Sequence, residues 1–181
     1  MKKVACFLAD GFEETEALQT VDILRRANIT VDMISIKDKH VVGSHGIEVV
    51  ADKGWQDNFD DYDMIFLPGG QPGTNNLMAD GRVLQIIQDF YNQKKWLAAI
   101  CAAPIVLEKA GVLKDKKVTS HPSMMEDHFK DSHYLNKEVV LDQNIITSRG
   151  VGTVPAFAFT ILELFDIDSQ PFKEAMVFTR K

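Results

Sequence analysis

Cys101 stands between two runs of different character. Before it, residues 96–100 (WLAAI) form a short apolar stretch like a buried strand. After it, residues 102–110 carry helical spacing. A side chain at such a strand-to-helix turn is thrust out of the backbone at the sheet edge where ligands bind. The amides that follow open a helix, whose partial positive charge favours an anion. The thiolate is the reactive form of cysteine, and this setting predicts a pKa within roughly 3.5–7.5, against ~8.5 for a free thiol. Ala99 and Ala103 flank the thiol where a serine-hydrolase elbow carries glycines, so a tight turn is permitted. The competing reading is a buried core cysteine, since free cysteines are among the most buried residues. Cys6, inside an apolar run, fits that second reading.

A carboxylate, a glycine pair and an imidazole recur at matching places. Glu13, Glu14 and Glu16 follow the first apolar run and Asp10-Gly11. Acidic residues in a first helical turn are common because the helix dipole favours them, but three in four positions exceed what a cap needs. Glu16 lies far enough into the helix to point inward. Beside a thiolate its carboxyl would be held protonated, because two adjacent anions are unfavourable. It could then donate to sulfur and shuttle protons. Gly69-Gly70 is equally a simple turn or a place where bare N–H groups face a bound oxygen. His121 directly follows a short apolar run. His40, His45, His128 and His133 read as surface imidazoles. No pair of histidines has metal-ligand spacing, so no metal site is expected.

The elements that must position these groups alternate in period. Strands are expected at residues 4–9, 29–36, 64–67, 96–100, 117–120, 139–141 and 144–147, with a hairpin over 41–50 around Gly43 and Gly46. Helices are expected at 15–27, 81–94, 102–110 and 154–165, the last with Thr153 as cap and Pro155 in its first turn. Strands alternating with helices imply a mostly parallel sheet covered on both faces. In such sheets ligands bind beyond the carboxyl ends of the strands, and Asp10-Gly11, Gly69-Gly70, Cys101, His121 and Ser148-Arg149-Gly150 all fall at those ends. The segment 167–181 holds Phe172, Met176 and Val177, enough apolar surface to dock on the body, so residues 1–181 read as a single domain.

Composition narrows the function. The 181 residues are 45% hydrophobic, ordinary for a globular chain and enough to bury a core without disulfides or metal. Residues 4–9 are too short for a signal peptide and are broken by Asp10. No apolar run is long enough to span a membrane. Two cysteines give no disulfide framework and fit a reducing compartment, hence a cytoplasmic location. The net charge of -6 argues against nucleic acid and anionic membranes as partners. No G-x-G-x-x-G follows the first strand and no P-loop occurs, which argues against dinucleotide or nucleotide cofactors.

Five stretches, DGFEETE (10–16), LPGG (67–70), AAICAAP (98–104), VTSHP (118–122) and ITSRGVGT (146–153), resemble the ThiJ/PfpI superfamily. Within it they are most similar to the Parkinson-disease protein deglycase clade. The resemblance implies a flavodoxin-like, Rossmann-like α/β three-layer sandwich with a nucleophile elbow, assembled as a homodimer. It puts the nucleophile on Cys101 and its partner carboxyl on Glu16. Gly69, Gly70 and Ala102 would line the anion pocket through their backbones, with His121 nearby. Arg26 matches an arginine near the family's dimer interface, and His45 stands where the clade has a second one. The residue after the nucleophile is Ala102 rather than the histidine of the protease-like branch, which argues against peptidase activity. Ser123 follows His121-Pro122 where amidotransferases carry glutamate.

The resemblance and the residues together point to a cofactor-independent, cysteine-dependent stress-protective enzyme. Its substrates would be reactive dicarbonyls or their early protein adducts, in the manner of a glutathione-independent glyoxalase or protein deglycase. The alternative is an oxidation-sensing stress protein or chaperone, in which Cys101 is oxidised without turnover.

Overall fold

The computed structural model describes residues 1–124 and 128–178. In chain order the elements are β1 (Lys3–Leu8), α1 (Glu14–Arg26), β2 (Thr30–Ser35), the hairpin β3 (His40–Val42) and β4 (Glu48–Val50), and β5 (Met64–Leu67). Then come α2 (Gly73–Ala79), α3 (Gly81–Asn92), β6 (Trp96–Ile100), α4 (Pro104–Lys109), β7 (Lys117–Val118) and β8 (His133–Tyr134). The chain closes with β9 (Val139–Asp142), β10 (Ile145–Ser148), α5 (Val154–Leu164) and α6 (Gln170–Ala175).

Six strands form the central sheet in the order β2-β1-β5-β6-β10-β9. All neighbours run parallel except β9, which pairs antiparallel with β10 at one edge. Successive side chains of a strand point to opposite faces, and this sorts the core into two layers. Val4, Cys6, Leu8, Phe66, Ala98 and Ile100 join α1 and α5 on one face. Ala5, Phe7, Ile65, Leu67, Leu97 and Ala99 join α2, α3 and α4 on the other. Each large apolar side chain fully withdrawn from water contributes roughly 1.5–3 kcal/mol. The result is a flavodoxin-like α/β fold with strands buried on both sides, which is why they read as continuous apolar runs.

Several expectations need correction. The run 117–120 does not join the central sheet: β9 already covers that edge of β10, and β7 pairs in parallel with β8 instead. Beyond β7, Thr119 N–H donates to the Thr147 hydroxyl at 3.0 Å, so this segment rides on side chains of β10 toward the site. Helix α2 was not anticipated, because Gly73-Thr74-Asn75-Asn76 has turn composition; burial of Thr74 and Leu77 holds it. Thr153 is the N-cap residue of α5 as expected, but it makes no side-chain cap bond. Its hydroxyl turns back to accept from Arg149 N–H and Gly150 N–H and to pair with Ser148. In the C-terminal segment, Phe172, Met176 and Phe178 pack on the core, whereas Val177 is exposed. Residues 179–181 of that segment lie outside the described residues.

Candidate active site

Cys101 sits between β6 and α4 with φ +63°, a left-handed conformation rare for a residue with a side chain and costing about 1–2 kcal/mol. Two hydrogen bonds clamp it there. Its N–H donates to Ser148 O of β10 at 3.0 Å, and its carbonyl accepts from His121 N–H at 2.8 Å. The strained backbone thrusts the half-buried sulfur above the carboxyl ends of β6 and β10. Cys6, by contrast, is sealed in the core, and burial pushes its thiol up.

The three glutamates of α1 do three different things. Glu13 is the N-cap residue: its Oε2 accepts from Glu16 N–H at 2.7 Å. Glu14 holds the β3–β4 hairpin, accepting at Oε1 from His45 N–H at 2.7 Å and at Oε2 from the His45 ring at 2.9 Å. Burial opposes its charge, but the bonds from the His45 ring and from the backbone outweigh burial and hold the carboxyl down at about 2. Glu16 is completely buried. Its Oε2 accepts from Gly69 N–H at 2.9 Å, and its Oε1, with no nitrogen or oxygen donor, is the atom left for the sulfur. Donor atoms of Glu13, Glu14 and His45 lie within 4.8 Å of one another, a separation a metal ion could bridge. Ser44, His45 and Ile47 already engage both Glu14 oxygens, so the trio reads as a clasp for the hairpin.

The glycine pair divides its work, which corrects the expectation that both amides serve a bound oxygen. Gly69 N–H is already bonded to Glu16. A Cβ there would fall 2.6 Å from both Cys101 Cβ and Glu16 Oε2, so only glycine admits the carboxyl and the thiol together. Gly70 takes φ +92°, and its amide, with that of Ala102, is directed at the Cys101 sulfur. These two are the donors an anion at this position would meet.

Burial lifts the Glu16 carboxyl to about 7; the bonds from Cys101 and Gly69 oppose this, and the charge of Glu13 adds to it. Burial also lifts the thiol, and the charge and hydrogen bond of Glu16 carry it to about 12 against the pull of the Ala102 and Gly70 amides. An independently acidic thiol is therefore not what the structure contains. Two groups in contact titrate as a pair. This pair releases one proton near neutrality and resists losing the second, because two anions would then share a half-buried pocket. As pH rises through about 7 the site comes to hold one negative charge, with one proton left between Cys101 and Glu16.

His121 is brought to the same place. Its Nδ1 accepts from Ser123 N–H at 3.2 Å and pairs with the Ser123 hydroxyl at 2.7 Å. That leaves the Nε2–Cδ2 edge of the exposed ring toward the thiol. Among the described residues it is Ser123 that orients it. Arg26 is not part of this cluster: it lies exposed at the end of α1, paired with Asp22 at 2.6 Å. Sequence reasoning overlooked Glu13 as the residue seating Glu16, for which the E-x-x-E spacing is a usable signal. It also gave Gly150 no role, although a carbon placed on its Cα would contact Glu16, His121 and Cys101 at once.

The pattern of the DJ-1/PfpI family matches residues 2–164. The chain belongs to the DJ-1/PfpI family. It is 34% identical over 174 residues to the glutathione-independent glyoxalase DJ-1 of Schizosaccharomyces pombe, covering 90% of this chain and 91% of that protein. Its structure superposes on Drosophila melanogaster DJ-1beta with a TM-score of 0.94 at 34% identity, over 99% of each chain. It superposes on oxidized Toxoplasma gondii DJ-1 with a TM-score of 0.91 at 28% identity, over 99% of this chain and 100% of that one. Among the described residues no helix is long and apolar enough to cross a membrane.

Proposed function

We propose that this DJ-1/PfpI protein is a cysteine-dependent, cofactor-independent glyoxalase acting on small 2-oxoaldehydes such as methylglyoxal, or on their early adducts with proteins. The observation that carries the reading is the completely buried Glu16, whose one unpartnered oxygen is left for the Cys101 sulfur. In the reactive form the proton sits on Glu16 and the charge on sulfur. The sulfur attacks the aldehyde carbon, and the carbonyl electron pair moves to oxygen, where the amides of Gly70 and Ala102 lie in wait. Glu16 gives that oxygen its proton. The resulting carboxylate then takes the hydrogen from the aldehyde carbon as a proton and returns it to the neighbouring carbon, while the hydroxyl proton passes from the first oxygen to the former ketone oxygen. This leaves a 2-hydroxy thioester, and water hydrolyses it to a hydroxy acid and the free thiol. One positioned carboxyl contributes on the order of 10²–10⁴-fold to such proton transfers. The Schizosaccharomyces pombe relative, named a glutathione-independent glyoxalase, supports the assignment. Incubation with methylglyoxal should yield lactate, and Cys101→Ser should abolish it. Equal consumption by the variant would overturn the mechanism.

The half-buried sulfur also supports the alternative of an oxidation sensor, since a neighbouring acid proton can hold a sulfinate oxygen. The described structure of the Toxoplasma gondii relative is of an oxidized protein. Intact mass after mild peroxide, beside a turnover assay on the same sample, separates the two. Oxidation at Cys101 with no lactate formed favours the sensor.

A further inference from the structure

Gly150 lies just beyond β10, beside the thiol. A carbon placed where its side chain would begin lies 3.7 Å from Glu16 Oε1, 3.8 Å from His121 Cδ2 and 3.9 Å from Cys101 Sγ. These are ordinary van der Waals separations, so the missing side chain leaves a one-carbon notch touching the sulfur, the carboxyl oxygen and the imidazole edge together. The other glycines of the site leave no such space. A carbon on Gly69 would fall 2.6 Å from Cys101 Cβ, and one on Gly70 would fall 2.4 Å from Glu13 N. The wall carrying the notch is fixed: Gly150 N–H donates to the Thr153 hydroxyl at 3.0 Å, and Gly150 O accepts from Thr153 N–H at 2.8 Å.

We infer that this notch seats the substituent on the second carbonyl carbon of a 2-oxoaldehyde, making Gly150 the residue that sets how large that substituent can be. The inference rests on the dicarbonyl reading above and deepens it. Once sulfur has bonded to the aldehyde carbon, the carbon bearing the ketone lies beside Glu16 Oε1. Its substituent, three bonds from sulfur, points into the space that no side chain occupies. Hydrogen or methyl fits; a branched group meets Thr153-fixed backbone on one side and the imidazole on the other.

The test compares kcat/KM for glyoxal, methylglyoxal and tert-butylglyoxal in the wild-type protein and in Gly150→Ala, with Cys101→Ala as background. The wild type should use the first two and lose about tenfold or more on the third. The variant should lose about tenfold or more on methylglyoxal relative to glyoxal, the range one methyl group commands in a fitted pocket. Equal use of methylglyoxal and tert-butylglyoxal by the wild type, or an unchanged methylglyoxal-to-glyoxal ratio in the variant, overturns the role of Gly150 and leaves the functional reading standing. No consumption of any of the three above background sinks the dicarbonyl reading itself. Should Gly150→Ala not fold, the wild-type series alone decides.

Discussion

Replacing Glu16 with glutamine isolates the electrostatics of the site. Glutamine keeps an oxygen for Gly69 N–H and presents an NH₂ donor to sulfur, so it copies the protonated acid without its titration. In the wild type the carboxyl rises from 4.5 to about 7, first because it is buried. At ~1.4 kcal/mol per pH unit, that displacement corresponds to about 3 kcal/mol. The sign follows from proton counts. Between pH 4.5 and about 7 the unfolded chain has already lost this proton and the folded protein has not, so folding stability falls as pH rises across that window. It is full below 4.5 and bottoms out above about 7. Glu16→Gln has no such slope. Urea titrations of both proteins from pH 4 to 8.5 should therefore show the variant gaining about 3 kcal/mol on the wild type as pH rises, other groups cancelling in the difference. The thiol should respond in the opposite sense to catalysis. Without the charge of Glu16 its pKa falls from the raised value of about 12, so alkylation by iodoacetamide at pH 8 should speed up while methylglyoxal turnover collapses. Parallel stability curves, or slower alkylation in the variant, would refute the proton-sharing pair.

Three further outcomes follow from the geometry. Cys101 holds φ +63°, so Cys101→Gly should be more stable than Cys101→Ala by about 1 kcal/mol in thermal unfolding, the cost of a side chain in that conformation. Gly69→Ala would force a carbon to 2.6 Å from Glu16 Oε2; it should lose about 1–3 kcal/mol by overpacking and most of its turnover, read by urea titration and lactate assay. The Glu14–His45 clasp should be strongest between pH 4.5 and 6.5. The His45 contribution is full below 6.5 and is lost as pH rises through its raised pKa, while the Glu14 contribution is present above 4.5 and is lost as pH falls toward about 2. Amide exchange in the β3–β4 hairpin, compared with His45→Ala, should show its greatest difference inside that window.

Much of the architecture was legible because buried parallel strands must be apolar on both faces. Runs such as Met64–Leu67 and Trp96–Ile100 therefore announce themselves without tertiary knowledge. The elements that misread were those whose sequence is ambiguous at short range. Residues 117–120 look like a sheet strand, yet the edge they would have joined is taken by β9. Helix α2 has turn composition and exists because Leu77 finds a core. In the site, Cys101 was visible from the change of period around it and Glu16 from its place after β1. That the carboxyl keeps its proton beside the thiol was legible too; that burial and the Glu16 charge lift the thiol rather than lower it was not.

Legible in the residues alone were the alternation of strand and helix, the place of Cys101 at the carboxyl end of β6, that of Glu16 in the helix after β1, and the resemblance to a family. Each of these is written in local period or in short motifs. Packing alone settled that Gly69 N–H serves Glu16 rather than a ligand, that a carbon on Gly150 would meet Glu16, His121 and Cys101 together, and that the thiol is half-buried against the carboxyl. Those facts depend on how deeply groups from different strands are buried and how closely they meet. Burial and contact arise only when distant segments pack.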